Sequence, residues 1–369
     1  MNSERKQIGL DARKIKDYGI GTYIQNILSR LPGFLPSYSL NLLCIYQDID
    51  YIKDNVNKNF FYSPVKALHY SIREHIILSR IANNLNLQLL HSPHYVVPAF
   101  LKCRSIVTIH DVIHLIYPGK GLAQKIAARF LMKAAIKKAH AIITVSENSK
   151  KDIVRFFPEA LAKITAIHNG IDDYFFTCAD KTAVEDIARA YRLPSRYILY
   201  VGNHLKHKNI ERLINVFKMF TEHKEDYSLL LVGGIRINEL KQGLNNSENS
   251  KIKVLPYVDK KVLKVIYQKA DFLIMPSLYE GFGLPLLEAM ACKTAVTCSN
   301  ITIFQEIAKD IPQYFDPKNE NDMLDSMIKL SENKELREAI ATKGNERAQL
   351  FSWQKSAQMH SEIYQEALK

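Results

Sequence analysis

Tryptophan occurs once and cysteine five times in 369 residues. Cys44, Cys103, Cys178, Cys292 and Cys298 are odd in number, scattered, and never spaced Cys-x-x-Cys. That excludes a disulfide framework or a zinc site as the organising feature and points to a reducing compartment. Long apolar runs are lacking too: none reaches the ~18 residues that a membrane-spanning helix needs. The opening Met1–Gln7 is polar and charged, so no secretory leader is expected, and a cytoplasmic setting is the simplest expectation. Low-complexity tracts and short-period repeats are also missing. Acidic residues are the scarcer charge, 38 against 50 Lys and Arg, leaving a net +12. Residues 1–180 hold 23 basic and 14 acidic side chains, so most of the excess lies in the first half.

What is present is ordinary soluble composition, 47% hydrophobic and 24% charged, in a chain long enough for two cores. The first half alternates short apolar runs (Ile8–Leu10, Leu40–Ile45, Leu87–His91, Ser105–His110, Ala141–Val145, Ile164–Ile167) with helical patterns at Ile20–Ser29, Gly121–Lys138 and Glu147–Phe157. Such alternation predicts parallel strands with crossover helices. A second alternating series begins at Tyr197–Gly202 and runs through Leu229–Gly233, Ile252–Tyr257, Asp271–Pro276 and Ala295–Cys298, with helices at Asn209–Phe220, near Lys260–Lys269 and from Gly283. The expectation is an α/β chain of two Rossmann-like domains, one over 1–180 and one over 181–351. A last helix over 352–369 completes the pattern.

The densest basic piece is 120–138, where Lys125, Arg129, Lys133 and Lys137 recur every fourth residue beside Ile126, Phe130, Leu131 and Ala134. It predicts a basic amphipathic helix, either a solvated face over a core or a contact for anionic membrane. Nucleic acid is the weakest reading, because no aromatic platform is interleaved.

The most informative stretch is Ser277-Leu-Tyr-Glu280-Gly281-Phe282-Gly283-Leu284-Pro-Leu-Leu-Glu288. Two glutamates with seven residues between them flank a Gly-Phe-Gly turn that joins a buried-strand pattern to a helix. A strand, a glycine turn and a helix start direct backbone N–H groups at an anion. Glu288 is then expected about two turns into the helix, within reach of ligand hydroxyls. A phosphate-bearing, hydroxyl-rich ligand such as a nucleotide-sugar suits that set.

The stretch resembles the Glu-seven-residues-Glu signature of the retaining glycosyltransferases of family 4, and the style of its flanking blocks is similar to bacterial mannosyltransferases. The resemblance implies the GT-B fold, with parallel sheets facing each other across a cleft and the last helix returning to the first domain. It implies Glu280 engaging the donor sugar and Glu288 the ribose. Matching blocks follow in family order from Gly9 to Trp353. Asp17-Tyr-Gly19-Ile-Gly21-Thr22 resembles the family's Gly-x-Gly loop, read here as backbone amides offered to a diphosphate or an acceptor; Ile24 stands where a dinucleotide fingerprint wants a small residue. Thr108-Ile-His110-Asp111 resembles the block whose histidine contacts the transferred sugar, with Asp111 fixing the loop or touching the acceptor. His91-Ser-Pro-His94 is a looser match that implies an acceptor contact by His94. Gly202-Asn203 with Lys208-Asn209 matches the diphosphate block, except that Asn203 stands where Arg or Thr is usual; this throws the charge onto Lys208, or onto Lys206 and His207. Leu255-Pro256-Tyr257-Val258 implies backbone contacts to the nucleobase. Lys293 stands where a glycine usually follows the Ala-Cys pair.

No metal or organic cofactor is expected: Asp48-Ile-Asp50 has a metal-binding form but no supporting ligands. The expected activity is metal-independent retaining transfer of a hexose, with GDP-mannose favoured as donor, to a glycan or lipid-linked acceptor in surface polysaccharide or lipopolysaccharide assembly. Alternatives are a GT-B nucleotide-sugar epimerase, or a basic nucleic-acid- or membrane-surface-binding protein.

Overall fold

A computed structural model describes residues 5–56, 60–67, 69, 71–119, 121–234 and 250–369. The chain divides into two compact units, 1–170 with 352–369, and 171–351.

In the first unit the described strands are β1 (Lys6–Asp11), β2 (Tyr38–Cys44), β3 (Phe61–Pro64), β4 (Leu89–Ser92), β5 (Arg104–Thr108), β6 (Ala141–Thr144) and β7 (Ile164–Ala166). They form one sheet in the order β3-β2-β1-β4-β5-β6-β7, and every pairing is parallel. Strands covered by helices on both faces must be apolar along their whole length, and β4, β5 and β6 bury Leu89, Leu90, Ile106, Val107, Ile142 and Ile143 completely. The second unit repeats the plan with β8 (Tyr197–Val201), β9 (Ser228–Val232), β10 (Ile252–Leu255), β11 (Phe272–Met275), β12 (Val296–Ser299) and β13 (Gln313–Phe315), ordered β10-β9-β8-β11-β12-β13. Both orders reverse direction, at β1/β4 and at β8/β11. In open α/β sheets ligands bind beyond the carboxyl ends of the strands at that reversal. The loops so placed follow Asp11 and Ser92 in one unit, and Val201 and Met275 in the other.

Residues 171–180 pack in the second unit, ten residues earlier than the sequence division. Phe175 meets Tyr267 edge-on with ring centroids 6.2 Å apart, and the Ala179 amide donates to Gln268 Oε1 at 3.1 Å. The last helix, Trp353–Ala367, lies in the first unit against the helix Tyr18–Phe34. Gly170 faces the Trp353 backbone so closely that a Cβ would collide with its amide nitrogen. The Ile171 amide in turn donates to the Phe351 carbonyl at 3.0 Å.

The basic segment folds as the helix Leu122–Lys138; Lys120 lies outside the described residues. Its buried residues are Ala128, Met132, Ala135 and Ile136, while Ile126 and Phe130 point to solvent. Asp48 pairs with Lys16 at 2.7 Å and Asp50 is exposed, so the Asp-x-Asp pattern does not converge on one point.

Candidate active site

In the second unit, β11 ends at Met275 and the chain passes through the loop 276–283 into the helix Leu284–Ala291. Gly283 is the N-cap at φ +95°, a conformation that a side chain strains, and a Cβ there would stand 2.9 Å from the Phe304 ring. Gly283 brings no side chain to cap this helix start. Glu288 is the fifth helical residue, so it sits about one turn in, not the two expected. Gly281 and Phe282 are buried in the same loop.

The loop after β8 meets this one. The Gly202 amide continues the sheet by donating to Val232 O at 2.9 Å, and the Leu278 amide donates to His207 O at 2.7 Å. Between these tethers Lys208 Nζ reaches Glu280 Oε1 at 2.6 Å, and Ser277 Oγ donates to the same oxygen at 2.8 Å. Asn209, in the left-handed region at φ +59°, clamps the pair of loops: its Nδ2 donates to Pro276 O at 3.1 Å and to Pro317 O at 2.8 Å. Lys208 and Glu280, 72 positions apart, are thus one ion pair at the strand reversal. In the same loop after β8, the Asn203 side-chain oxygen is buried without a hydrogen-bond partner among the described residues.

Glu288 accepts from Tyr267 Oη at 2.8 Å. Burial raises its pKa to about 7, against the opposing pull of that bond and of Lys260. Tyr257 and Val258 lie beyond β10, which ends at Leu255, in the loop that leads to the helix Lys260–Lys269. Tyr257 is exposed.

In the first unit, the expected Gly19-x-Gly21 loop is instead the first turn of the helix Tyr18–Phe34. Gly21 N is committed to Asp17 O at 2.5 Å, which leaves Gly19 and Ile20 as first-turn amides. His110 follows β5 by two residues. Its Nε2 lies 3.1 Å from Pro93 O, and burial depresses its pKa to about 4, so the ring is neutral. A carbonyl can only accept, so Nε2 carries the proton and Nδ1 the lone pair. Asp111 Oδ1 accepts from the Ile113 amide at 2.9 Å. His94 sinks into a buried charge network, its Nε2 3.2 Å from Asp11 Oδ2. Arg13 bridges Asp11 at 2.6 Å and Glu74 at 2.5 Å. Burial would raise the Asp11 pKa, but the Arg13 guanidinium overrides it and holds the carboxyl well below its usual range.

Behind His110 runs a second chain of polar groups. Tyr364 Oη lies 2.5 Å from His91 Nδ1, and His91 Nε2 lies 2.8 Å from Thr108 Oγ1. Thr108 lies 2.8 Å from Tyr23 Oη, which lies 2.6 Å from His360 Nε2. His360 Nδ1 ends the chain 2.7 Å from Ser356 O. Burial keeps both histidines neutral, His360 at about 4. Because the final carbonyl can only accept, one ordering fills every contact: Tyr364 donates to His91, His91 to Thr108, Thr108 to Tyr23, and Tyr23 to His360. The Tyr23 ring meets His110 edge-on, ring centroids 5.0 Å apart, so this chain buttresses the His110 ring.

Ser277 stands three residues before Glu280 and was within reach of a local pattern search. Tyr267, Tyr23 and His360 carry no such signal, since their partners are distant in sequence; Asn209 stood in the Lys208-Asn209 block, but its role as a clamp did not show.

Two family models match in tandem, "Glycosyltransferase Family 4" over residues 50–174 and "Glycosyl transferases group 1" over 185–347. The chain belongs to glycosyltransferase family 4. Among curated relatives of this family 4 chain, the O-antigen chain mannosyltransferase RfbU of Salmonella typhimurium is 32% identical over 64% of the chain and 62% of its own length. The O-antigen chain mannosyltransferase B of Escherichia coli is 28% identical over 72% and 71%. The match thus spans less than two thirds of the Salmonella protein. The fold of the family 4 chain, GT-B, is shared with the sucrose-phosphate synthase of Thermosynechococcus elongatus, with a TM-score of 0.79 at 19% identity over 98% and 99% of the two chains.

Proposed function

We propose that this family 4 chain is a metal-independent retaining hexosyltransferase that moves mannose from GDP-mannose to a hydroxyl of a glycan or lipid-linked acceptor in lipopolysaccharide or surface-polysaccharide assembly. The observation that carries it is the Lys208–Glu280 ion pair, set at a sheet's strand reversal beside the helix start at Gly283. Support for mannose comes from the two O-antigen relatives, both of them mannosyltransferases.

Departure of the diphosphate builds negative charge on it and an oxocarbenium-like centre on the sugar. Lys208 neutralises the phosphate charge, and the amides and dipole at Gly283–Leu284 add to that as charge grows, which lowers the barrier more than it tightens the ground state. Glu280, held by Ser277, faces the sugar; Glu288 accepts from the ribose hydroxyls with Tyr267 fixing its rotamer. Tyr257 and Val258 contact the base. The neutral His110 offers its Nδ1 lone pair to a hydroxyl of the transferred sugar. The leaving phosphate takes the acceptor's proton, so the new bond forms on the face the diphosphate leaves.

A thermal-shift screen over GDP-, UDP- and ADP-sugars is the test, since a ligand that binds only the folded chain raises its melting temperature. GDP-mannose is expected to give the largest shift, and Lys208→Ala to lower kcat by about 10²–10³ with acceptor KM little changed. A larger shift with a UDP-sugar would replace the donor. Sugar interconversion without any acceptor would mark an epimerase instead.

A further inference from the structure

The helix Leu122–Lys138 carries five cations and no acidic residue, and it exposes the wrong side chains for a merely solvated face. Leu122, Ile126 and Phe130 are 71%, 61% and 72% exposed. Four-residue steps place the three on one arc of roughly 80°. Arg129, Lys133 and Lys137 follow the same four-residue rhythm, and all three are exposed. They interleave with the apolar three at offsets of roughly 20°. A separate face, Ala128, Met132, Ala135 and Ile136, is the one packed on the core. Leu161, on the short 3-10 helix Pro158–Lys163 packed against this helix, is exposed as well.

We propose that this face docks on an anionic lipid surface, with Leu122, Ile126 and Phe130 entering the acyl boundary and Arg129, Lys133 and Lys137 meeting the headgroup phosphates. The occupant follows from the mixture of chemistries. Aliphatic and aromatic side chains gain by leaving water only where an apolar phase is offered, and the cations at the same level gain only where that phase is bordered by negative charge. A second copy of the chain fits poorly, because a two-fold contact brings the cations against themselves. Nucleic acid satisfies the cations and leaves the apolar ridge in water. No helix among the described residues is long and apolar enough to cross a membrane, so the contact is with one leaflet. The proposal does not depend on which sugar is transferred.

The test is co-sedimentation of the full chain with vesicles of phosphatidylcholine alone, and with about a third phosphatidylglycerol. Partition is expected to favour the anionic vesicles by about tenfold or more and to weaken with salt. Ile126→Ser with Phe130→Ser keeps every charge and is expected to cut partition about tenfold. Lys133→Gln with Lys137→Gln keeps the ridge and is expected to cut it by a similar or larger factor. All four positions are exposed, so the melting temperature and the donor-induced thermal shift are expected to match the parent chain; a lost donor shift would count against the catalytic reading alone. Equal partition to both vesicle types, no partition, or wild-type partition by the apolar pair variant overturns the proposal. Binding of an RNA oligomer that survives the apolar substitutions, without vesicle binding, assigns the face to nucleic acid and overturns it too.

Discussion

Glu288 is the residue where environment and task pull against each other. Its pKa of about 7 in the fold exceeds the 4.5 of a free glutamate, so the folded chain binds the extra proton. The neutral side chain's contribution to stability is complete below about pH 4.5 and is lost as pH rises through 7. Donor binding through a carboxylate runs the opposite way. Melting temperature is therefore expected to fall between pH 5 and 8 in the parent chain more than in Glu288→Gln. GDP-mannose affinity, measured by calorimetry, is expected to be about tenfold weaker at pH 6 than at pH 8, and to lose that pH dependence in Glu288→Gln. Both glutamates were legible in the sequence because their motif is local. Lys208 was legible as a site cation too, but neither its pairing with Glu280 across 72 positions nor the reach of Tyr267 to Glu288 across 21 was, since no side-chain pattern repeats over such distances.

Among elements, periodicity found the buried parallel strands and most helices that pack with large side chains. It gave no sign of the helix Lys334–Ala348, whose buried residues are Ile340, Gly344, Asn345 and Ala348, a stripe with a single bulky apolar member. β13 is three residues long, too short to show an alternation. The basic helix was found, but its inward face was not: small side chains allow close approach to the core, so Ala128 and Ala135 face inward while Phe130 does not. Helix ends hold strain that only the structure reveals. Lys309 closes the helix Thr302–Ala308 at φ +55°, ψ −134°, a region that costs a side chain about 1–3 kcal/mol. Lys309→Gly is expected to stabilise the chain by about 1 kcal/mol after the entropy of the added glycine is counted. Calorimetry should then read a melting temperature higher by about 2–4 °C in the unit that contains it. An unchanged or lower melting temperature would refute the strain.

At the scale of the whole molecule, two alternating series foretold two parallel sheets; the blocks at Gly19–Gly21, His94, Gly202–Lys208 and Glu280–Glu288 follow the strands where each order reverses, while His110 follows β5 and Tyr257 follows β10, away from the reversals. The polar run from 172 to 180 gave no clue that it packs with the second unit, because its anchors, Phe175 on Tyr267 and Ala179 on Gln268, depend on a helix almost ninety residues later. The first unit is completed by Trp353, His360 and Tyr364, all buried, from the far end of the chain. A chain ending at Phe351 is expected to lose hydrogen-exchange protection in the helix Tyr18–Phe34 and in β4 and β5, while β8, β9 and β11 keep theirs. Uniform loss, or none, would show that the last helix is not part of that unit's cooperative core. During synthesis this topology inverts the usual order. The ribosome finishes every strand of the later unit while the earlier one still waits for its closing helix, so the half made first is the last to mature, and its unclosed apolar faces are what a nascent-chain chaperone meets.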